Sequence, residues 1–156
     1  YRVQSIFDLE YNGEFDIIIS WGVLTVAATN REELAEIMKR LKRALKPSGR
    51  VLFLEPIHSG FLHRVLNMNF QEFCSVIDET GFKVAEVKEM HFWPARLFLC
   101  YLNWPRFITA AVYHLGQFMM QNLGLEKMGD YKAIIAINGQ EKQDIDETAG
   151  KLPNGR

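Results

Sequence analysis

Along the chain, short unbroken apolar runs alternate with stretches in which apolar residues recur at helical spacing, and this alternation predicts the elements. Residues 3–7, VQSIF, are β-prone and end at Asp8. After the turn residues Asn12 and Gly13, the Ile-rich run FDIIIS, residues 15–20, has the pattern of a strand buried on both faces. Asn30 then opens a helix, with Glu33 three residues on for a reciprocal cap and Leu34, Ile37, Met38, Leu41 and Leu45 as the apolar stripe. Glu32, Glu33 and Glu36 fall early in that helix and Lys39, Arg40, Lys42, Arg43 and Lys46 late, which suits the macrodipole and a solvated outer face. KPSG stops the helix, and RVLFLEP, residues 50–56, reads as a second buried strand ended by Pro56. Strand, helix and strand joined by short links make a parallel crossover unit.

The pattern then repeats. Residues 57–68 read as a loop, and Asn69 with Glu72 caps a helix whose buried face is Phe70, Phe73, Val76 and Ile77 and which ends at Gly81. Residues 82–90 form a third strand, more charged and so expected near a sheet edge; DYKAIIAI, residues 130–137, forms a fourth, apolar one. Residues 140–156 are polar without any apolar period and are expected to be a disordered tail.

Residues 92–125, whose only charges are Arg96 and Arg106, are more than a minimal fold needs and read as a helical insertion. Pro94 and Pro105 suit the first turns of two helices. Ile108, Ala111, Val112, Leu115, Met119 and Leu123 keep a helical period in the second, with Tyr113, Gln117 and Met120 on another face. Three readings stay open for this segment: extra core against the sheet, an apolar lid over a substrate, and a membrane-surface or dimer contact.

Composition narrows the class. The 156 residues are 48% hydrophobic, 12% aromatic and 24% charged with a formal net charge of -1, which predicts one globular domain with a sizeable core and excludes a disordered chain or a disulfide scaffold. The sequence pI of about 6.5 offers no basic footprint, so no nucleic-acid partner is expected. Cys74 and Cys100 each lie in an apolar stretch, read as buried free thiols, and point to a reducing compartment, the cytoplasm. The spacing of Cys and His offers no metal site. The first residues carry no initiator Met, basic n-region or long apolar run, so they read as a chain cut into rather than a signal peptide. Arg96, Asn103, Pro105 and Arg106 break the one stretch that approaches the ~18 apolar residues of a membrane span.

Four strings in order resemble the class I S-adenosylmethionine-dependent methyltransferases over residues 1–139. VQSIFDLEYNGEFDIIISWGVLTV is similar to the family's third strand, acidic turn and fourth strand. LAEIMKRLKRALKPSGRVLFLEP is similar to the following helix, LKPGG-type turn and fifth strand, with Ser48 in place of the usual Gly. NFQEFCSVIDETGFKVAEVKEM resembles the next helix and sixth strand, and GDYKAIIAI the antiparallel seventh. The resemblance implies an α/β, Rossmann-like methyltransferase fold that is incomplete, holding strands three to seven of the order 3-2-1-4-5-7-6. The glycine-rich loop after the family's first strand and the acid ending its second have no counterpart, so residues 1–139 are expected to be the C-terminal portion of such a domain. Residues 3–7 would then lie two absent strands away from residues 15–20.

The resemblance also implies roles. Asp8 matches the acid beside the cofactor's adenine amine, with the Leu9 amide able to donate; Ser20, Trp21 and Gly22 match the end of the fourth strand, along the methionine part of S-adenosylmethionine. Thr25 stands where relatives often carry a His. The motif at residues 20–22 is not the N-P-P-[YF] of enzymes acting on nucleic-acid or protein amides, so a small-molecule or lipid-like apolar acceptor is expected. Methyl transfer is an in-line displacement for which positioning and water exclusion suffice, a base being needed only where the acceptor loses a proton. His58 and His63, which follow the second apolar strand together with Glu55, are the candidate catalytic residues. Trp93, Arg96, Tyr101, Trp104 and Tyr113 are the candidate acceptor-binding residues of the insertion, Arg106 being a further charge there. The alternative is a non-catalytic scaffold that binds a partner or membrane surface through residues 92–125; a peripheral membrane contact and the oligomeric state stay open.

Overall fold

Each of the last four predicted apolar runs becomes a strand of one sheet. The computed structural model describes residues 2–57, 66, 68–101, 103–125 and 128–139. Strands β1 (Phe15–Trp21), β2 (Leu45–Glu55), β3 (Phe82–Phe92) and β4 (Gly129–Asn138) lie in the order β1-β2-β4-β3. β1 and β2 are parallel, with Ile18 opposite Val51 and Trp21 opposite Leu54, and β4 is antiparallel to both β2 and β3. The charged strand sits at the edge as expected, where Lys83, Glu86 and Lys88 discourage further pairing.

Helices α1 (Leu24–Ala27), α2 (Arg31–Ala44), α3 (Phe70–Glu79), α4 (Trp93–Cys100) and α5 (Arg106–Asn122) complete the described elements. Asn30 caps α2 by accepting from the Glu33 amide at 2.9 Å, but the Glu33 carboxylate reaches the Thr29 amide and hydroxyl, at 2.7 Å each, rather than the Asn30 amide. α3 carries the complete reciprocal box between Asn69 and Glu72, both bonds at 2.9 Å. The stripes of these two helices, Leu34, Ile37, Met38 and Leu41 with Phe73, Val76 and Ile77, pack on Val51, Phe53, Ile134 and Ala136 of the sheet. Burying each such side chain contributes about 1.5–3 kcal/mol. Gly81 turns the chain into β3 at φ +85°, and its carbonyl accepts from Lys42 Nζ at 2.9 Å, tying α2 to the end of α3.

Several expectations are corrected. Residues 3–7 form no strand: Ile6–Asp8 is a single 3-10 turn capped by Ser5, because no neighbouring strand is present to supply a ladder. The run at residues 15–20 is not buried on both faces. Ile17, Ile19 and Trp21 are exposed, Trp21 at 69%, because α2 and α3 cover only the opposite face and β1 has a neighbour on one side alone. β2 starts at Leu45 rather than Arg50: Phe15 faces Leu45 but Ile17 faces Arg50, so residues 46–49 bulge from the ladder. Gly49 suits this bulge, since a Cβ there would stand 2.9 Å from Leu45 Cδ2 and 3.0 Å from the Lys46 and Phe15 carbonyl oxygens.

In α5 the buried residues are Gly116 and Met120, while Leu115 and Leu123 are exposed. The helix docks where it can approach most closely, and a Cβ on Gly116 would stand 3.0 Å from Phe92 and 3.2 Å from Ala95. Of the two thiols, Cys100 is exposed and only Cys74 is partly buried; burial first, then Asp78, pushes the Cys74 thiol up. The polar tail, residues 140–156, lies outside the described residues.

Candidate functional site

At the carboxyl end of the parallel pair, the chain leaves β1 and is caught by Glu55, the last residue of β2. Its fully buried carboxylate accepts five hydrogen bonds. Oε1 takes the Ser20 hydroxyl at 3.0 Å and the Val23 and Leu24 amides at 3.2 Å each; Oε2 takes the Thr25 amide at 3.3 Å and hydroxyl at 3.0 Å. A carboxylate so placed satisfies the first amides of the short helix α1 and offsets its own burial. Gly22 at the turn has φ +61°, and its amide donates to the Leu54 carbonyl at 2.8 Å. Glu55 is thus a positioning residue for residues 20–25 whose two oxygens are both engaged. Thr25, at the position where a His was considered, is one of its partners. An acid ending an apolar strand was the available signal for this role.

Ser20, Trp21 and Gly22 therefore come together at one ordered turn, with open space around the Gly22 Cα. Asp8 and Leu9 lie apart from it. The Leu9 carbonyl accepts from Arg43 at 2.8 Å, and the Gly13 and Glu14 amides donate to the Arg43 and Ala44 carbonyls, so residues 9–14 follow the carboxyl end of α2. That end adjoins the start of β1, about 20 Å of strand from Trp21. His58 and His63 lie outside the described residues.

A second polar cluster lies at the same sheet end but on β3 and β4. Asp130, 2% exposed, is paired with Arg96 of α4 through Oδ2, and Lys132 is paired with Glu89. Burial works against the Arg96 charge, but the hydrogen bond and charge of Asp130 outweigh it and raise its pKa. An inward-turned Arg needs an anion, and here the chain supplies its own. His91 follows at φ +58°, a conformation uncommon for a side-chain-bearing residue, with Nδ1 3.8 Å from Asp130 Oδ1 and its ring between Tyr131 and Tyr113, at 5.1 and 6.1 Å. Arg96 lies 5.4 Å from the Tyr131 ring centre. Among the acceptor-binding candidates, Arg96 and Tyr113 are brought together around this cluster, and Trp93 opens the helix that carries Arg96. Trp104 stacks on Phe98 at 4.9 Å and donates to its carbonyl at 3.2 Å, while Tyr101 is largely exposed. His91 and Asp130 were not singled out as site residues in the sequence, because their proximity depends on strand pairing.

Among the described residues no group of His, Cys, Asp and Glu could hold a metal ion, and no helix is long and apolar enough to cross a membrane. No family model and no curated protein matches the chain. Solved structures do. The geranyl diphosphate C-methyltransferase of Streptomyces coelicolor, solved with Mg2+, geranyl diphosphate and S-adenosyl-L-homocysteine, superposes with a TM-score of 0.58 at 11% identity over 88% of this chain and 51% of its own. Phosphoethanolamine N-methyltransferase 2 of Haemonchus contortus, in complex with S-adenosyl-L-methionine, superposes at 0.52 and 17% identity over 86% and 36%. The [4+2]-cyclase SpnF superposes at 0.54 and 15% over 88% and 54%. The chain covers 57% and 54% of the lengths of two of its matches, little more than half. With the parallel pair, the antiparallel strand beside it and the charged edge strand in family order, the chain has a partial Rossmann-like fold of the class I S-adenosylmethionine-dependent methyltransferase kind.

Proposed function

We propose that residues 1–139 are the C-terminal portion of a methyltransferase domain that uses S-adenosylmethionine on a small-molecule or lipid-like acceptor. The observation that carries this reading is the turn at residues 20–25, held by Glu55 at the carboxyl end of parallel strands, where open α/β sheets receive ligands. Its residues fit the methionine end of the cofactor: nothing stands within 4 Å of a Cβ placed on Gly22, and Trp21 is exposed beside it. When bound, the cofactor supplies an electrophilic methyl group on a sulfonium. Ser20, Trp21 and Gly22 would hold it, Glu55 would keep that turn in place, and Asp8 and Leu9 would complete the adenine end only after moving toward it. Trp93, Arg96, Tyr101, Trp104 and Tyr113 would shelter the acceptor from water, with His58 and His63 available where the acceptor must lose a proton. The uncovered face of β1 supports the same reading, because parallel strands are ordinarily covered on both faces and Ile17, Ile19 and Trp21 are exposed on this one.

The test is calorimetric. Under this reading the 156 residues alone bind S-adenosylmethionine weakly or not at all, and a longer chain that also carries a glycine-rich loop is expected to bind it at micromolar concentration. Micromolar binding by the short chain would contradict the division of the site.

A second reading has its own observation. Tyr101, Phe107, Leu115, Phe118 and Leu123 of residues 92–125 are exposed, which suits a non-catalytic scaffold meeting a partner or membrane surface. Flotation of the full-length protein with phosphatidylcholine vesicles, together with no cofactor binding, would favour it.

A further inference from the structure

Docking of α5 leaves one face of the helix without a partner among the described residues. The helix meets the rest of the chain through Gly116 and Met120, with Ile108, Val112 and Met119 partly buried beside them. On the opposite side Phe107, Ala110, Ala111, His114, Phe118 and Gln121 are exposed, Phe107 at 74% and Phe118 at 58%, and Leu115 flanks them at 59%. Phe107, Ala111, His114, Phe118 and Gln121 recur at intervals of four, three, four and three residues, the spacing of a seam between two packed helices. Arg106 is the only charged residue of α5, whereas a helix face that stays in water ordinarily carries charges, as that of α2 does.

We propose that this face joins two copies of the chain, with α5 packed antiparallel on its counterpart about a two-fold axis at His114. In that register Phe118 of each copy sits over Ala110 and Ala111 of the other, Phe107 over Gln121, and His114 over its own counterpart. Large side chains thus meet small or slender ones. A parallel pair would instead set Phe118 on Phe118 and Arg106 on Arg106; the antiparallel pair keeps the two Arg106 residues about 24 Å apart along the helix axis. An isologous contact brings each surface against itself, and a face without charge between its ends has no like charges to oppose one another. The area suffices, because this face exposes roughly 600 Å² per copy, so the pair would bury about 1,200 Å², the lower end for a specific interface. Lipid suits the face less well: a helix lying in a membrane surface has basic residues along its polar border, and here a single Arg stands at one end while His114 and Gln121 lie on the seam. The inference uses no residue of the turn at 20–25 and does not rest on the methyltransferase reading.

The experiment is sedimentation equilibrium of the whole chain from about 1 to about 100 μM, with a dimer expected at a Kd in the micromolar range for an interface of this size. Phe118→Glu sets an acid over Ala110 and should weaken association at least about tenfold, with circular dichroism unchanged because the position is exposed. Ile19→Lys, on the exposed face of β1, should leave association unaltered. In a Cys100→Ser background, a mixture of the Phe107→Cys and Gln121→Cys chains should form the mixed disulfide, and Phe107→Cys should not crosslink to itself. That readout stands whether or not Phe118→Glu folds. A monomer at the highest concentration, association that survives Phe118→Glu or is lost in Ile19→Lys, or self-crosslinking of Phe107→Cys would each overturn the proposal. So would a monomer that floats with phosphatidylglycerol vesicles, a result that would assign the face to lipid.

Discussion

Thr25 gives both its amide and its hydroxyl to one oxygen of Glu55, at 3.3 and 3.0 Å, across thirty residues of sequence. With Ser20, Val23 and Leu24 on the other oxygen, this bond set joins the ends of β1 and β2 into the turn on which the proposed cofactor site depends.

Replacing that carboxylate by an amide of the same size turns one acceptor into a donor facing donors. Glu55→Gln is expected to destabilise the fold by about 2–4 kcal/mol, read as a lower urea midpoint. An unchanged midpoint would show that the turn does not need the second acceptor.

At the start of α2, Glu33 has its carboxyl pKa lowered, first by the Thr29 amide and then by its hydroxyl. A depressed folded value means that the support is complete above the unfolded value and is lost as pH falls through the folded one. Protection of the Thr29 amide from exchange should therefore hold at neutral pH and fall on acidification through the range below ordinary glutamates. Thr29→Val should move the Glu33 titration, followed by carboxyl NMR, back up toward the ordinary value. A titration unmoved by that change would refute the assignment.

Gly116 is the close contact between α5 and the end of β3. Gly116→Leu should cost about 1–3 kcal/mol by overpacking against Phe92 and Ala95. The loss should be local: faster amide exchange in α4 and α5, with α2 and β2 unaltered. Uniform loss across the sheet would mean that the insertion is part of the main core.

Trp104 packs on Phe98 within the insertion, and in the lid reading its loss touches the acceptor only. Under the methyltransferase proposal, Trp104→Ala should raise the acceptor KM about two- to tenfold, the worth of one aromatic contact, and leave cofactor affinity unchanged. Unchanged acceptor kinetics together with lost vesicle binding would sink the lid.

Much was legible because it is local. The caps at Asn30 and Asn69, the stripes of α2 and α3, the prolines opening α4 and preceding α5, and the charged edge strand all follow from residues within one or two turns of each other. Strand order came from the resemblance in residues 1–139, not from periodicity, since an apolar run states that it is buried but not beside what.

The remainder was decided by contacts between residues far apart in the chain. FDIIIS carries the pattern of a fully covered strand, yet Ile17, Ile19 and Trp21 face outward, because coverage requires elements that no local pattern can supply. Glu55 reads as a free acid after a strand until the fold brings five donors to it. His91 and Asp130 are 39 positions apart and meet only through the antiparallel pairing of β3 and β4, while Gly116, invisible to any hydrophobic period, fixes where α5 docks. Periodicity records which side chains avoid water; it carries no information on which buried polar group meets which, and that pairing is where the candidate site lies.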